Sequence, residues 1–208
     1  MERTVRVIVG CERSQVVTSA FRKVGIEAFS CDMLPTEGNP AWHFQEDILE
    51  VLKREKFDMG IFHPPCTYLS YVANRHWNNP GRKELREQAM EFFLKLYAAN
   101  IPKICIENPV GYPNTVFRKP DQIIHPYFFG DPELKRTCLW LKNLPILDYS
   151  KTIIEHPEPR YISNGIKTKG KKVYFTESIP EGKNSSKIRS KTFQGFAKAL
   201  ANQYGGLL

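Results

Sequence analysis

The 208 residues suffice for one domain with a substantial core, and 41% hydrophobic with 25% charged residues is an ordinary composition for a soluble globular protein. No apolar run approaches the ~20 residues of a bilayer span, and five cysteines without a C-x-x-C pair suggest neither a zinc site nor a disulfide framework. The net charge of +8 is concentrated: Lys151 to Lys191 holds ten Lys/Arg against four Glu, hence +6, which fits a polyanionic partner.

The N-terminus enters a strand pattern directly, with no secretory core, so a cytoplasmic protein is expected. Arg6 to Gly10 is a β-branched run and reads as a first buried strand. Cys11-Glu12-Arg13-Ser14 turns it into a helix, with Ser14 as N-cap, Val17, Ala20, Phe21 and Val24 on one face, and Gly25 as the closing glycine. A second strand, Ile26 to Cys31, ends at Asp32. Strand, turn, helix, strand and acid in this order form the layout of a nucleotide-binding βαβ unit.

Met33 to Trp42 reads as a loop, followed by a short helix through Leu52 with Asp47 as N-cap. Phe57 to Phe62 is a third apolar strand, stopped by Pro64 and Pro65, whose rings fix φ and remove backbone donors. Gly81 to Ala99 is an amphipathic helix with Leu85, Ala89, Phe92, Phe93 and Leu96 at helical spacing. Lys103 to Ile106 is the next strand and ends in Glu107-Asn108-Pro109. Gly111 to Asp131 is loop-rich, and Thr137 to Leu141 is a further strand.

The basic block, with Gly165, Gly170 and Gly182, reads as a small hairpin or partly mobile insert. Phe193 to Tyr204 reads as a terminal helix. The expected architecture is an α/β, Rossmann-like sheet with helices on both faces and a small basic C-terminal appendage. Residues 1–150 form the main domain, 151–191 the basic insert and 192–208 a helix packing back. Cys31, Cys105 and Cys138 lie in apolar runs and read as core residues.

Four strand ends carry polar residues: Glu12 and Ser14, Asp32, His63 to Cys66, and Glu107 with Asn108. In a parallel sheet they share one edge, where ligands bind. An acid after the second strand can accept from both ribose hydroxyls. Asp47-Ile48 offers an acceptor for an exocyclic amine and an apolar surface for a ring. Cys66 and Glu107 are the sharper pair. A thiolate adds to carbon 6 of a pyrimidine when a proton is supplied at ring nitrogen 3, which makes carbon 5 nucleophilic. The alternative is a structural Pro-Pro-Cys turn with a helix-capping Glu. A hydrolase using Cys66 and His63 is disfavoured, because residues three apart on a Pro-Pro loop rarely reach hydrogen-bond geometry and no orienting acid is apparent.

On these residues the sequence resembles the cytosine-5 DNA methyltransferase family. His63-Pro64-Pro65-Cys66 resembles its Pro-Cys nucleophile loop, and Ile106-Glu107-Asn108-Pro109-Val110 its Glu-Asn-Val motif with a proline inserted. Asp32 and Asp47-Ile48 resemble its ribose acid and adenine-contacting Asp-Ile, and Lys135-Arg136 its basic motif. The likeness covers roughly residues 5 to 145.

The resemblance implies a fold that binds S-adenosyl-L-methionine. Gly10, Cys11, Glu12, Ser14, Asp32, Met33, Asp47, Ile48 and Pro64 would hold that cofactor, with Glu12 on the methionine amino group. His63, Pro65, Thr67 and Lys135 would contact the substrate. Cys66 would attack a flipped cytosine, Glu107 act at nitrogen 3, Asn108 hold the loop and Arg136 stabilise the base or its phosphate. His63 is also the candidate cation for lowering the Cys66 pKa.

The resemblance further implies methylation of cytosine in DNA, of a phage or restriction-modification kind. A separate specificity subunit or a homodimer is a candidate partner. Methylation of single-stranded DNA or a free cytosine nucleotide, and a catalytically silent DNA-binding relative, are the alternatives. Three departures stand out: the turn after Gly10 is poor in glycine; in place of a large target-recognition domain the chain offers only the basic segment, which implies low or very short sequence preference; and the family's glutamine-bearing basic motif is only partly matched.

Overall fold

A computed structural model describes residues 4–152, 155–179 and 191–208. β1 (Arg6–Gly10) lies at the centre because its apolar run can be buried on both faces and paired on both edges. It pairs in parallel with β2 (Glu27–Cys31) on one side and β4 (Met59–Phe62) on the other. The short β3 (His43–Phe44) continues the parallel sheet beyond β2, and β5 (Lys103–Pro109) continues it beyond β4. β7 (Thr137–Lys142) then lies antiparallel to β5, and β6 (Gln122–Ile124) antiparallel to β7. The order is β3-β2-β1-β4-β5-β7-β6, a seven-stranded Rossmann-like sheet of the α/β class.

Alternation along the strands divides the core into two layers. Val7, Val9, Met59, Ile61 and Leu139 meet α1 (Val16–Lys23) and the terminal helix α6 (Gln194–Gly205), through Phe21, Phe196, Leu200 and Tyr204. Ile8, Phe62, Ile104, Ile106 and Trp140 meet α2 (Ile48–Arg54) and α3 (Arg82–Tyr97) on the other face, through Val51, Met90, Phe93 and Leu96. Phe93 meets the Trp140 ring edge-on at 5.1 Å, an arrangement worth about 1 kcal/mol beyond its buried area. Cys31, Cys105 and Cys138 are fully buried, as expected of core residues. Among the described residues no helix is long and apolar enough to cross a membrane.

Several local readings are corrected. Ser14 does not cap α1; Gln15 occupies that position in the left-handed region (φ 55°) without a side-chain cap. The capping group is Glu12, whose Oε1 accepts from Val17 N (2.6 Å) and whose Oε2 accepts from Thr18 N (3.2 Å) and Thr18 Oγ1 (2.6 Å). Val24 is exposed because α1 has ended there. Between the loop 33–42 and α2 lies β3, a two-residue strand too short to leave a period in the sequence. β5 runs on to Pro109 because β7 continues its ladder after β4 has stopped. The stretch 111–131 contains α4 (Pro113–Val116), β6 and a 3₁₀ turn (Pro126–Phe129). On α3, Leu85 is exposed, whereas Arg82 and Arg86 are buried.

The chain crosses from one half of the sheet to the other between β1 and β4, which are adjacent and parallel. The loops leaving these two strands therefore flank the crevice where an open α/β sheet takes its ligands.

Candidate active site

β4 and β5 are in register with Phe62 opposite Ile106. The correspondence continues past the end of β4. His63 Nδ1 lies 3.1 Å from Glu107 Oε2, and Asn108 Nδ2 donates to Pro64 O at 2.7 Å. Two successive side-chain rungs thus replace backbone rungs that Pro64 and Pro65 could not donate to. His63 N also donates to Gly10 O at 3.0 Å, which fastens the loop to β1.

The loop that carries Cys66 is braced from two further sides. Cys66 O accepts from Leu69 N (3.1 Å) and Ser70 N (2.9 Å), closing a tight turn. Arg82 Nη2 donates to Thr67 O (2.9 Å) and Arg86 Nε to Tyr68 O (3.0 Å), with the Arg82 guanidinium 4.5 Å from the centre of the Tyr68 ring. From β5's side, Tyr112 N donates to Leu69 O (2.7 Å). Gly111 is required there, since a Cβ on it would lie 2.1 Å from Leu69 O. Pro65, Cys66 and Thr67 remain exposed at the apex. Sequence reasoning missed Arg82 and Arg86. Their signal was present: they stand i, i+4 on the same stripe as Met90 and Phe93, an unusual place for two charges.

Electrostatics couple this loop to β5. Crowding by the surrounding chain raises the Cys66 thiol above its usual range, and Glu107 raises it further, while Lys135 acts in the opposite direction. Desolvation also pushes Glu107 upward, but the hydrogen bond from His63 and the charges of Lys135 and His63 outweigh it and hold the carboxyl below the usual carboxylate range. The cation acting on Cys66 is therefore Lys135, in place of the expected His63, which is committed to Glu107. Arg136 is exposed, and its charge reaches His125 and Cys138.

These couplings can be read without any substrate. Cys66 alkylation by iodoacetamide is expected to rise with pH around a midpoint above that of an unperturbed thiol, because the thiolate is the reactive form. Glu107→Gln should move the midpoint down and Lys135→Met should move it up. Mass spectrometry of the Cys66 peptide against pH provides the measurement, and coincident profiles for the three proteins would remove the proposed coupling.

At the neighbouring edge, Cys11 occupies the left-handed region with φ 60°. A non-glycine residue there costs roughly 1–3 kcal/mol. Burial raises its thiol, and the charges of Asp32 and Asp47 raise it further, which places both acids around this turn. Asp32 Oδ1 accepts from Leu34 N (2.9 Å), and Asp47 Oδ1 accepts from Leu49 N (2.8 Å) as the N-cap of α2. Met33 is exposed, whereas Ile48 is buried beneath Gly10. Gly10 itself is set by packing, since a Cβ would meet the Phe62 ring at 2.6 Å. The structure gathers Asp32, Asp47 and Cys11 at one place, but Glu12 is 3% exposed with its carboxylate engaged by α1. Ser14, partly buried, lies where α1 approaches α6.

The basic segment forms an antiparallel hairpin of β8 (Tyr161–Ile162) and β9 (Lys172–Val173). Its loop exposes Lys167, Lys169 and Lys171, with Ile166 fully exposed at the tip. Lys171 pairs with Glu177 on α5 (Phe175–Ser178) at 3.2 Å. Thr176 donates through N (3.1 Å) and Oγ1 (2.9 Å) to the buried Glu133, two residues before Lys135. α5, directly after the hairpin, is thereby tied to the stretch that carries Lys135. Lys183, Lys187 and Arg189 of the same block lie outside the described residues.

No family model matches the sequence, and no curated protein does. Solved structures match it. A methyltransferase of Entamoeba histolytica, EhMeth, is 14% identical over 87% of this chain and 61% of its own, with a TM-score of 0.46. DNMT2 of Spodoptera frugiperda, as a mutant, is 16% identical over 86% of this chain and 60% of its own, with a TM-score of 0.40. An rRNA methylase of Escherichia coli is 14% identical over 67% and 57%, with a TM-score of 0.38. The chain spans about three-fifths of the length of these structures. At identities and scores of this size the likeness carries no argument about chemistry, and the architecture rests on the sheet itself.

Proposed function

We propose that the chain is an S-adenosyl-L-methionine-dependent methyltransferase acting on carbon 5 of cytosine in DNA through a covalent Cys66 adduct. The observation that supports this best is the pair of rungs joining the β4 loop to β5, which sets a thiol and a carboxyl group within each other's field under one cation, Lys135. Conjugate addition to a pyrimidine needs these three: a nucleophile at carbon 6, an acidic partner at nitrogen 3, and positive charge to sustain the thiolate. Asn108 holds the loop through Pro64, so Cys66 is presented from a fixed backbone.

S-adenosyl-L-methionine, when bound, supplies the electrophilic methyl group. The residues fit its polar demands: Asp32 and Asp47 each commit one carboxylate oxygen to local backbone and leave the other for hydroxyl or amine donors. Glu12 is left out of this set because α1 uses its carboxylate. Lys167, Lys169 and Lys172 on the hairpin suit phosphate contacts, which give affinity without sequence readout, and favour DNA over a free nucleotide as substrate.

Incorporation of labelled methyl into duplex DNA, single-stranded DNA and dCMP tests the reading. Label at carbon 5 of cytosine in duplex DNA is the expected result. Label in dCMP alone would move the substrate to a nucleotide, and label in none of the three would overturn the reading.

A further inference from the structure

We propose that His63 and Glu107 act as one proton-holding unit, His63 passing a proton through Glu107 to ring nitrogen 3 as Cys66 bonds to carbon 6, and taking it back once the methylated base is released. The inference rests on the cytosine-5 reading and adds a residue to it. The pair is enclosed, with side-chain exposures of 11% for His63 and 18% for Glu107, and its Nδ1–Oε2 distance is 3.1 Å. His63 Nε2 is buried without a protein partner among the described residues, so Nδ1 is the ring's one route for passing a proton to the protein. That route ends on Glu107. His63 does not govern Cys66, whose opposing charges are Glu107 and Lys135.

The need for such a unit follows from Glu107's surroundings. The carboxyl faces Lys135 ahead of β7 and His63 on the β4 loop, and its charge is felt by Cys66, Cys105 and Cys138. Under those cations it is ionised at the pH where a thiolate forms, and a carboxylate has no proton to give. An imidazole is the side chain that changes charge near neutrality, so it can supply one.

In the addition step the Sγ–C6 bond forms. The C5=C6 π pair becomes C4=C5 and the C4=N3 pair moves to nitrogen 3, while His63 Nδ1 gives its proton to the Glu107 carboxylate and Glu107 passes it on to nitrogen 3. The C4=C5 pair would then take the methyl group that S-adenosyl-L-methionine supplies, the broken methyl–sulfonium pair staying on sulfur and the nitrogen 3 pair restoring C4=N3, and the hydrogen on carbon 5 leaves as a proton to water. The C5=C6 bond then re-forms and Sγ departs as thiolate. Nitrogen 3 returns its proton through Glu107 to His63. No oxidant or further reactant is required.

The experiment compares wild type with His63→Gln, which keeps a donor for Glu107 but carries no transferable proton. Single-turnover adduct formation on duplex DNA containing 5-fluorocytosine, with S-adenosyl-L-methionine, is followed across the neutral range. The variant should be slower by about 10²-fold at the acid end of that range, where an imidazole carries the proton to be passed on, the ordinary scale of a lost acid catalyst. The deficit should shrink as pH rises, because a neutral imidazole has no proton to pass to a carboxylate. A deficit equal at every pH would mean a purely structural role, and wild-type rates in His63→Gln would mean that the hydrogen bond alone suffices; either overturns the proposal.

Wild type that forms no adduct at any pH would instead overturn the cytosine-5 reading, and the relay with it.

Discussion

Cys66→Ala should abolish the covalent adduct with 5-fluorocytosine DNA and reduce methyl transfer by at least about 10³-fold, because the activation of carbon 5 comes from the bond at carbon 6. The variant should fold as wild type does. Cys66 is exposed at the loop apex, and the loop is held by backbone carbonyls and by Arg82, Arg86 and Asn108, none of which contacts the sulfur. Its stability should change by no more than about 0.5 kcal/mol, as for a surface substitution. Denaturing electrophoresis of the trapped complex, beside a thermal melt, separates the two effects. An adduct that persists in Cys66→Ala would dismiss this residue as the nucleophile. Wild type that binds DNA without ever forming an adduct would point to a silent relative.

The second large effect is on folding. Glu12→Ala should destabilise the protein by about 3 kcal/mol, the sum expected for losing a helix cap and leaving buried donors unsatisfied. Val17 N, Thr18 N and Thr18 Oγ1 would all lose their acceptor in a region closed to water. Glu12→Gln retains one oxygen and should lose less than half as much. In a chain of this length the alanine variant should melt roughly 6–12 °C lower. A melt within about 1–2 °C of wild type, the resolution of a scan, would show that water or a neighbour replaces the carboxylate.

Much of the fold was legible because the βα units declare themselves through apolar runs and punctuating glycine or proline. The parallel strands place Asp32, His63 and Glu107 at one edge, and that inference needed only the direction of the strands. What was not legible depended on partners distant in sequence. Glu12 has the composition of a ligand-binding acid, and only the path of α1 turns it into a cap. His63 stood three residues from Cys66 and was weighed as its cation, but the register of β4 with β5 gives it to Glu107 instead. Arg82 and Arg86 stand on the apolar stripe of α3, but the carbonyls they serve belong to a loop 15 and 18 residues earlier in the chain. The glycine-poor turn was visible, but that Cys11 and Gln15 would adopt left-handed backbone there was not.

The two rungs beyond the end of β4 bear on any attempt to transplant the proposed chemistry. The acid's partner is carried by one strand and the loop's anchor by the next, and each rung joins one of these strands to the other. A chimera that imported only the β4 loop into a related sheet would bring the thiol without its acid. One that imported only β5 would bring an acid with no imidazole to complete it. The smallest exchangeable unit is therefore the strand pair, moved with its register intact.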